Sequence, residues 1–427
     1  MAGIRKRERG AGSVNGTASP ADDPVIAALG RPLRLGVIGG GPGAMIGPMH
    51  RRAAVLDGRF AIAAGVLSAA PERARQAGLT IGLAAGRAYG TSEEMLEREA
   101  ARADGIEAVS IMTPNASHHR LAAAAIERGL DVIIEKPLVN TVPEANDLLD
   151  RVQRAGTILC VTHPYAAYPM IREARALIGA GSLGAVRAVE VSYLSGGLAR
   201  RLEETADGVR RWRLDPEISG PSLVLGDLGT HAHHLLSFVL DEPPFEVRAE
   251  LTTLVPGRLV HDHAELAVRF RSGARGRIGL SQAATGQTNA ILLRVIGERA
   301  SLEWRHAQHA ELTVMPSDGP RQTRQAGAAY LSADAKNAVR LGRTGHPEGL
   351  LEAFANLYSE AALAIAARRS GKTAPGHRLF PDVLDGARGV WFAAAAIASN
   401  QDEHRWKYCQ TEPVQNAQRL AGDGSPG

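Results

Sequence analysis

The stretch Leu35-Gly36-Val37-Ile38-Gly39-Gly40-Gly41-Pro42-Gly43-Ala44-Met45-Ile46-Gly47 runs from a short apolar segment through a glycine-rich turn into helix-like sequence. Glycines between a strand and a helix let the backbone close on a pyrophosphate, which meets the N–H groups at the helix start. The loop is longer than the common G-x-G-x-x-G fingerprint, because five residues separate Gly41 from Gly47. On this loop alone a purely structural turn stays open. The fingerprint's second half is an acid ending the second strand, where it binds the adenosine ribose. Here Ser68 stands in that place, followed by Ala69, Ala70 and Pro71. The nearest acid, Glu72, falls in the next helix, and Arg73 leaves NADP open beside NAD.

Outward from the loop, apolar runs at Leu35–Ile38, Ala61–Leu67, Ala108–Met112, Asp131–Ile134 and Thr157–Val161 read as strands. Helical apolar spacing at Ser92–Arg98, His119–Arg128 and Pro143–Ala155 separates them, which implies βαβ units and a doubly wound parallel sheet. Beyond about Pro164 the segments Val186–Tyr193, Phe245–Leu254, Ala264–Phe270, Ala274–Leu280 and Ile291–Ile296 follow one another with turn residues between, as in a mostly antiparallel sheet. Helices are expected over Pro347–Arg369 and Pro381–Ser399. The expected organisation is a disordered basic tail (1–32), a nucleotide-binding domain (33–163), a C-terminal α+β domain on a large open sheet (164–400) and a loose tail (401–427). The fold class is α/β.

The 427 residues are 44% apolar and 22% charged, which excludes a disordered or fibrous chain. The net charge of +4 is mostly local: Arg5, Lys6, Arg7 and Arg9 against Glu8 give +3 in the first ten residues, leaving +1 elsewhere. The body therefore has no compositional case for nucleic acid. Cys160 and Cys409 are too few for a disulfide framework or a cysteine metal site. No apolar h-region follows the basic residues, and no uninterrupted apolar run suits a membrane span, so a cytoplasmic setting is expected.

Arginine supplies nearly all the positive charge; only five lysines occur, at 6, 136, 336, 372 and 407. Lys136 ends the apolar run Asp131–Ile134 within Glu135-Lys136-Pro137, at the strand edge where open α/β sheets bind ligands. A solvated strand end is the plainer reading. Against it, a compact ammonium can position or exchange a proton in ways guanidinium cannot. In Gly226-Asp227-Leu228-Gly229-Thr230-His231-Ala232-His233-His234, Asp227 and His231 lie four apart, on one face of a helical start. A carboxylate beside an imidazole suits a general base; Asp227 as a helix cap and a His231/His234 metal site are the rival readings.

Together the glycine loop, Thr113-Pro114-Asn115 with His118, Glu135-Lys136-Pro137, and Asp227 with His231 resemble the Gfo/Idh/MocA oxidoreductases over roughly residues 33–400. The resemblance implies an N-terminal Rossmann domain, a C-terminal domain carrying substrate residues and an oligomer interface, and NAD(P)-dependent oxidation of sugars or polyols. It implies a catalytic set of Lys136, Asp227 and His231. Cofactor contacts are implied at Gly39, Gly41, Pro42, Gly43, Ala44, Met45, Ile46, Ser68, Thr113, Pro114, Asn115, His118, Glu135, Lys136 and His163. Substrate contacts are expected at Lys136, Tyr165, Trp212, Arg213, Asp227 and His231. A homodimer or homotetramer through the C-terminal sheet is expected, with no metal, nucleic acid or membrane partner. Gly39–Gly43, Ser68 and His346-Pro347-Glu348-Gly349 are most similar to levoglucosan-type and glycoside 3-dehydrogenases. Pro164 stands where the family often has Asn, and His234 where it often has Asp. An NAD-dependent glycosidase using transient oxidation and a non-catalytic cofactor-sensing regulator are the alternatives; the presence of Lys136, Asp227 and His231 together argues against the second.

Overall fold

The computed structural model describes residues 23–203, 212–373 and 378–409. Five strands, β1 (Leu33–Gly39), β2 (Phe60–Val66), β3 (Ala108–Met112), β4 (Asp131–Ile134) and β5 (Leu159–Val161), form a parallel sheet in the order β2-β1-β3-β4-β5. The chain leaves β1 toward one side and β3 toward the other, which opens a crevice at their carboxyl ends. Gly39 pairs with Met112 at that point. Every residue of β3 and β4 is buried, as expected for strands covered on both faces by helices.

Local chemistry sets the helices. Val142–Ala155, just beyond the Lys136 turn, starts on a capping box: the Thr141 hydroxyl accepts from the Glu144 N–H, and the Glu144 carboxylate accepts from the Thr141 N–H at 3.1 Å. Pro143 fits its first turn and Gly156, at φ +60°, ends it.

A second sheet has nine strands in the order β13-β12-β11-β10-β6-β9-β8-β7-β14. The five expected strands are β6 (Val186–Leu194), β7 (Glu246–Thr252), β8 (His263–Arg269), β9 (Arg275–Ser281) and β10 (Ala290–Gly297). Four more join them: β11 (Ala300–Arg305), β12 (Glu311–Pro316), β13 (Gln322–Gln325) and β14 (Lys407–Tyr408). All neighbours are antiparallel except β6 with β9. Val189, Val191 and Tyr193 alternate inward from β6, and Val247, Ala249 and Leu251 from β7. The opposite face presents Glu190, Arg294, Glu303 and Arg305 in an ion-paired row.

Three boundaries differ from the sequence reading. Residues 24–29 are a helix rather than part of a disordered tail. Asp23 caps it, accepting from Val25 N–H at 2.8 Å, and also pairs with Arg59. The segment after 401 is not loose as far as Cys409, because Lys407 and Tyr408 pair with Val247 and Glu246. The last two helices lie in the C-terminal part of the sequence, but Leu350–Ser370 packs on the parallel sheet and Val383–Gln401 spans from β5 to β7, where Ser399 and Asn400 accept from the Ala249 and Leu251 N–H groups at 3.0 and 2.9 Å. Tyr358 reaches Ser110 of β3 at 2.7 Å, and Gly386 lies so close to β5 that a Cβ there would be 2.7 Å from Val161. Leu350–Ser370 is apolar and long enough for a membrane span by composition, yet two-thirds of it (67%) is buried inside the protein.

Candidate active site

The glycine loop is built for close approach. Gly39, Gly40 and Gly43 have φ of +83°, +63° and +88°, conformations that favour glycine. A Cβ on Gly41 would lie 1.7 Å from the Leu67 carbonyl oxygen, and one on Gly47 would lie 1.8 Å from the Gly40 carbonyl oxygen. The loop is thus pressed between the ends of β1 and β2, with Pro42, Gly43 and Met45 left at the surface. Arg51 ties it down by donating to the Gly40 carbonyl at 2.7 Å. The following helix begins at Ile46, so the extra residues form a longer loop before the helix N-terminus. A bare backbone facing a helix start fits a dinucleotide pyrophosphate. Ser68 sits at the rim, its hydroxyl accepting from the Ala70 N–H at 3.2 Å.

At the β3 end, Thr113 is half-buried and Pro114 exposed. Two residues expected to line the cofactor are used inside the protein. Asn115 is buried and donates to the Ser219 carbonyl at 2.9 Å. His118 is fully buried, its ring nitrogens 2.9 Å from the carbonyls of Thr113 and Pro137. They act on the crevice from below: His118 clamps the loops after β3 and β4 together. Asn115, with Asn140 donating to the Ile218 carbonyl at 3.1 Å, ties the 218–219 segment to the nucleotide-binding domain.

Glu135 and Lys136 follow β4 on opposite courses. The Glu135 carboxylate turns inward to His50 Nε2 at 2.9 Å and the Thr162 hydroxyl. His50 continues to the Tyr358 hydroxyl at 2.8 Å. Burial works to raise the Glu135 pKa, but the His50 hydrogen bond and charge and the Lys136 charge hold it at about 2. Lys136 turns toward the second domain. Its ammonium donates to the Asp227 carboxylate Oδ1 and, at 3.0 Å, to the Asp227 carbonyl. Asp227 lies in a π-helical turn, Leu225–Gly229, that opens the helix Thr230–Leu240; such turns concentrate at functional sites. Burial would raise its pKa, yet the charges of Lys136 and Arg213 keep it at about 2.

Asp227 does not orient His231 through a hydrogen bond, as the four-residue spacing suggested. Its second oxygen accepts from Gln282 Nε2, just past β9, and His231 Nδ1 instead faces His163 Nδ1 at 3.2 Å. The His163 ring stacks on His234 with centroids 4.7 Å apart and planes 8° apart. His231 stands nearly perpendicular to the His163 ring, at 85°, and among the described residues no group of three or more His, Cys, Asp or Glu could hold a metal. Burial and the Lys136 charge push His231 down to about 3, so its imidazole is neutral. Tyr165 packs edge-on against His231 at 5.0 Å and its hydroxyl meets that of Tyr193 at 2.8 Å. Trp212 carries Arg213 over its ring at 4.7 Å.

Sequence reasoning missed Gln282, His50, Tyr193 and Tyr358. The position of Gln282 at a strand end was the one available signal; the others reach the site through long-range packing.

A doubly wound sheet with a glycine loop at its switch point, facing a lysine–aspartate pair and a neutral histidine, defines an oxidoreductase with an NAD-binding Rossmann domain. Residues 33–163 match the oxidoreductase family, NAD-binding Rossmann fold, and residues 171–303 match the GFO/IDH/MocA C-terminal domain. The chain belongs to the Gfo/Idh/MocA family of oxidoreductases. It is 34% identical over 378 residues to the uncharacterized oxidoreductase YfiI of Bacillus subtilis, covering 87% of this chain and 96% of that one. It is 28% identical to levoglucosan dehydrogenase of Pseudarthrobacter phenanthrenivorans over 49% of this chain and 58% of the relative. Among solved structures, an inositol dehydrogenase homolog of Azotobacter vinelandii complexed with NAD+ superposes with a TM-score of 0.85 at 35% identity, over 88% of this chain and 97% of that one.

Proposed function

We propose that the protein oxidises a ring secondary alcohol of a sugar, aminosugar or inositol-like polyol to a ketone, or runs the reverse. The observation that carries this reading is the ammonium of Lys136. It has three donors; two go to the carboxylate and carbonyl of Asp227, which leaves one for a ligand, and its charge acts on the neighbouring His231. The remaining N–H would go to the substrate oxygen, whose negative charge grows as its proton leaves. His231, neutral and buried, takes that proton. Asp227 compensates the ammonium and fixes its direction, while Gln282 fixes Asp227. Tyr165, against His231, Arg213, whose charge acts on Asp227, and Trp212 beside it would supply ring contact and hydrogen bonds to the substrate. When bound, NAD would rest on Gly39–Ile46, Ser68 and Thr113–Pro114 and supply the hydride acceptor.

The relatives support the substrate class, since the structures of the Azotobacter homolog include one with NADH and myo-inositol. We further propose a homodimer or homotetramer that forms through the open face of the C-terminal sheet. The test is NADH formation across inositols, pyranosides and aminosugars, with NAD+ and NADP+ compared, in wild type and Lys136→Ala. At least one ring alcohol should be oxidised, and the variant should lose at least about 10²-fold in kcat while still binding NADH. A variant with near-normal turnover would overturn the role of Lys136.

A further inference from the structure

The proton-accepting role of His231 leaves one requirement that Asp227 does not meet. A neutral imidazole has one N–H and one lone pair. To take a hydroxyl proton at Nε2, His231 must carry its hydrogen on Nδ1, and a buried N–H needs an acceptor. Both oxygens of Asp227 are engaged by Lys136 and Gln282.

We propose that His163 is the positioning residue for His231: its Nδ1 accepts the His231 Nδ1–H and so leaves Nε2 as the nitrogen that faces a substrate hydroxyl. The inference rests on the reading above of His231 as the base. The two Nδ1 atoms are 3.2 Å apart, which demands one donor and one acceptor. Both rings are buried, at 2% and 8% exposed. His163 is itself held in place. Its N–H donates to the Val161 carbonyl at 2.9 Å, Pro164 restricts the backbone after it, and its ring rests flat on His234. Burial and the neighbouring charges favour the neutral form of His163, which keeps a lone pair available.

In the oxidising direction the substrate O–H bond breaks and its proton binds His231 Nε2, while the electron pair forms the C=O bond as hydride leaves carbon for the nicotinamide. His231 then holds two hydrogens. Its Nδ1–H becomes a stronger donor to His163, so the new charge spreads over two rings and away from Lys136. The opposite tautomer would put Nε2–H against the hydroxyl and leave no lone pair to receive its proton.

Two substitutions separate this role from packing. His163→Phe keeps a ring against His234 and removes the acceptor; His163→Asn removes the ring and places an amide oxygen near Nδ1. With myo-inositol and levoglucosan as probes, His163→Phe should lower kcat about 10²-fold at nearly unchanged KM. His163→Asn should recover activity to within about tenfold of wild type. A phenylalanine variant within threefold of wild type, or two variants equally impaired, would overturn the proposal. Nitrogen-15 spectra of histidine-labelled protein with NADH need no substrate: His231 should be the Nδ1–H tautomer in wild type and gain Nε2–H population in His163→Phe. A His231 already in the Nε2–H form refutes the assignment even where neither probe is turned over, which keeps it distinct from the choice of substrate.

Discussion

Asp227→Asn isolates the charge that links the two domains across the crevice. The substitution keeps the shape of the side chain and lets an amide oxygen face Lys136, with the Gln282 amide able to turn to match. What is lost is the negative charge beside a partly buried ammonium; the two side chains are 14% and 26% exposed. The Asp227 carboxyl is held at about 2 from an ordinary 3.8. At 1.36 kcal/mol per unit this is about 2 kcal/mol of native-state stabilisation. The sign follows from linkage: a depressed carboxylate stabilises the folded state above its unfolded-state pKa, and the contribution fades only as pH falls from 3.8 toward 2. The deficit of the variant should therefore be constant from pH 8 to pH 6. Thermal unfolding followed by circular dichroism should show a Tm lower by about 4 °C at both pH values, and NADH oxidation or formation should slow by about 10²-fold. Equal stability at pH 7, or a deficit that closes between pH 8 and pH 6, would refute the reasoning that Lys136 and Arg213 hold Asp227 charged.

Three further outcomes follow from the same geometry. Gly41→Ala puts a methyl 1.7 Å from the Leu67 carbonyl, so fluorescence titration should show NADH affinity at least about tenfold weaker, with the loop displaced; unchanged affinity would mean the loop does not hold the cofactor. Gln282→Met removes the donor to Asp227 and should lower kcat about tenfold while sparing NADH affinity, read by steady-state kinetics and titration. His163, His231, His233 and His234 are all kept neutral by burial, their pKa values lowered. The unfolded chain binds more protons below about 6.5, so each histidine removes about 1.4 kcal/mol per pH unit as pH falls. Tm should drop steeply between pH 6.5 and 5, and His233→Phe should shallow that slope; a flat profile would show these rings charged.

The strands of the parallel sheet were legible because each is a short apolar run bounded by turn residues and separated by amphipathic helices. Ala108–Met112 and Asp131–Ile134 agree residue for residue. Strands β11 to β14 were not legible. β11 alternates buried and polar residues over only six positions, β12 buries only Leu312 and β13 buries none, and Lys407–Tyr408 is a strand only because β7 presents an edge to it. The same holds for Pro24–Leu29, whose sequence sits next to a polar, glycine-rich tail but whose Val25 finds a buried place beside the later helix.

Within the candidate site, the sequence by itself named residues that the structure brings together. A lysine at a strand end in a chain that otherwise uses arginine, a glycine turn, and an aspartate four before a histidine are local features, readable from spacing. Tertiary structure alone decided how they are wired. Asp227 turns to Lys136, from another domain, rather than to His231. His231 turns to His163 of β5's end, 68 residues earlier, and His118 turns away from the crevice to clamp its loops. The reason is that a hydrogen bond is chosen by distance and desolvation after the chain has packed. In a buried site each polar atom must find a partner among whatever the two sheets bring near it, and sequence spacing fixes only the candidates on its own helix.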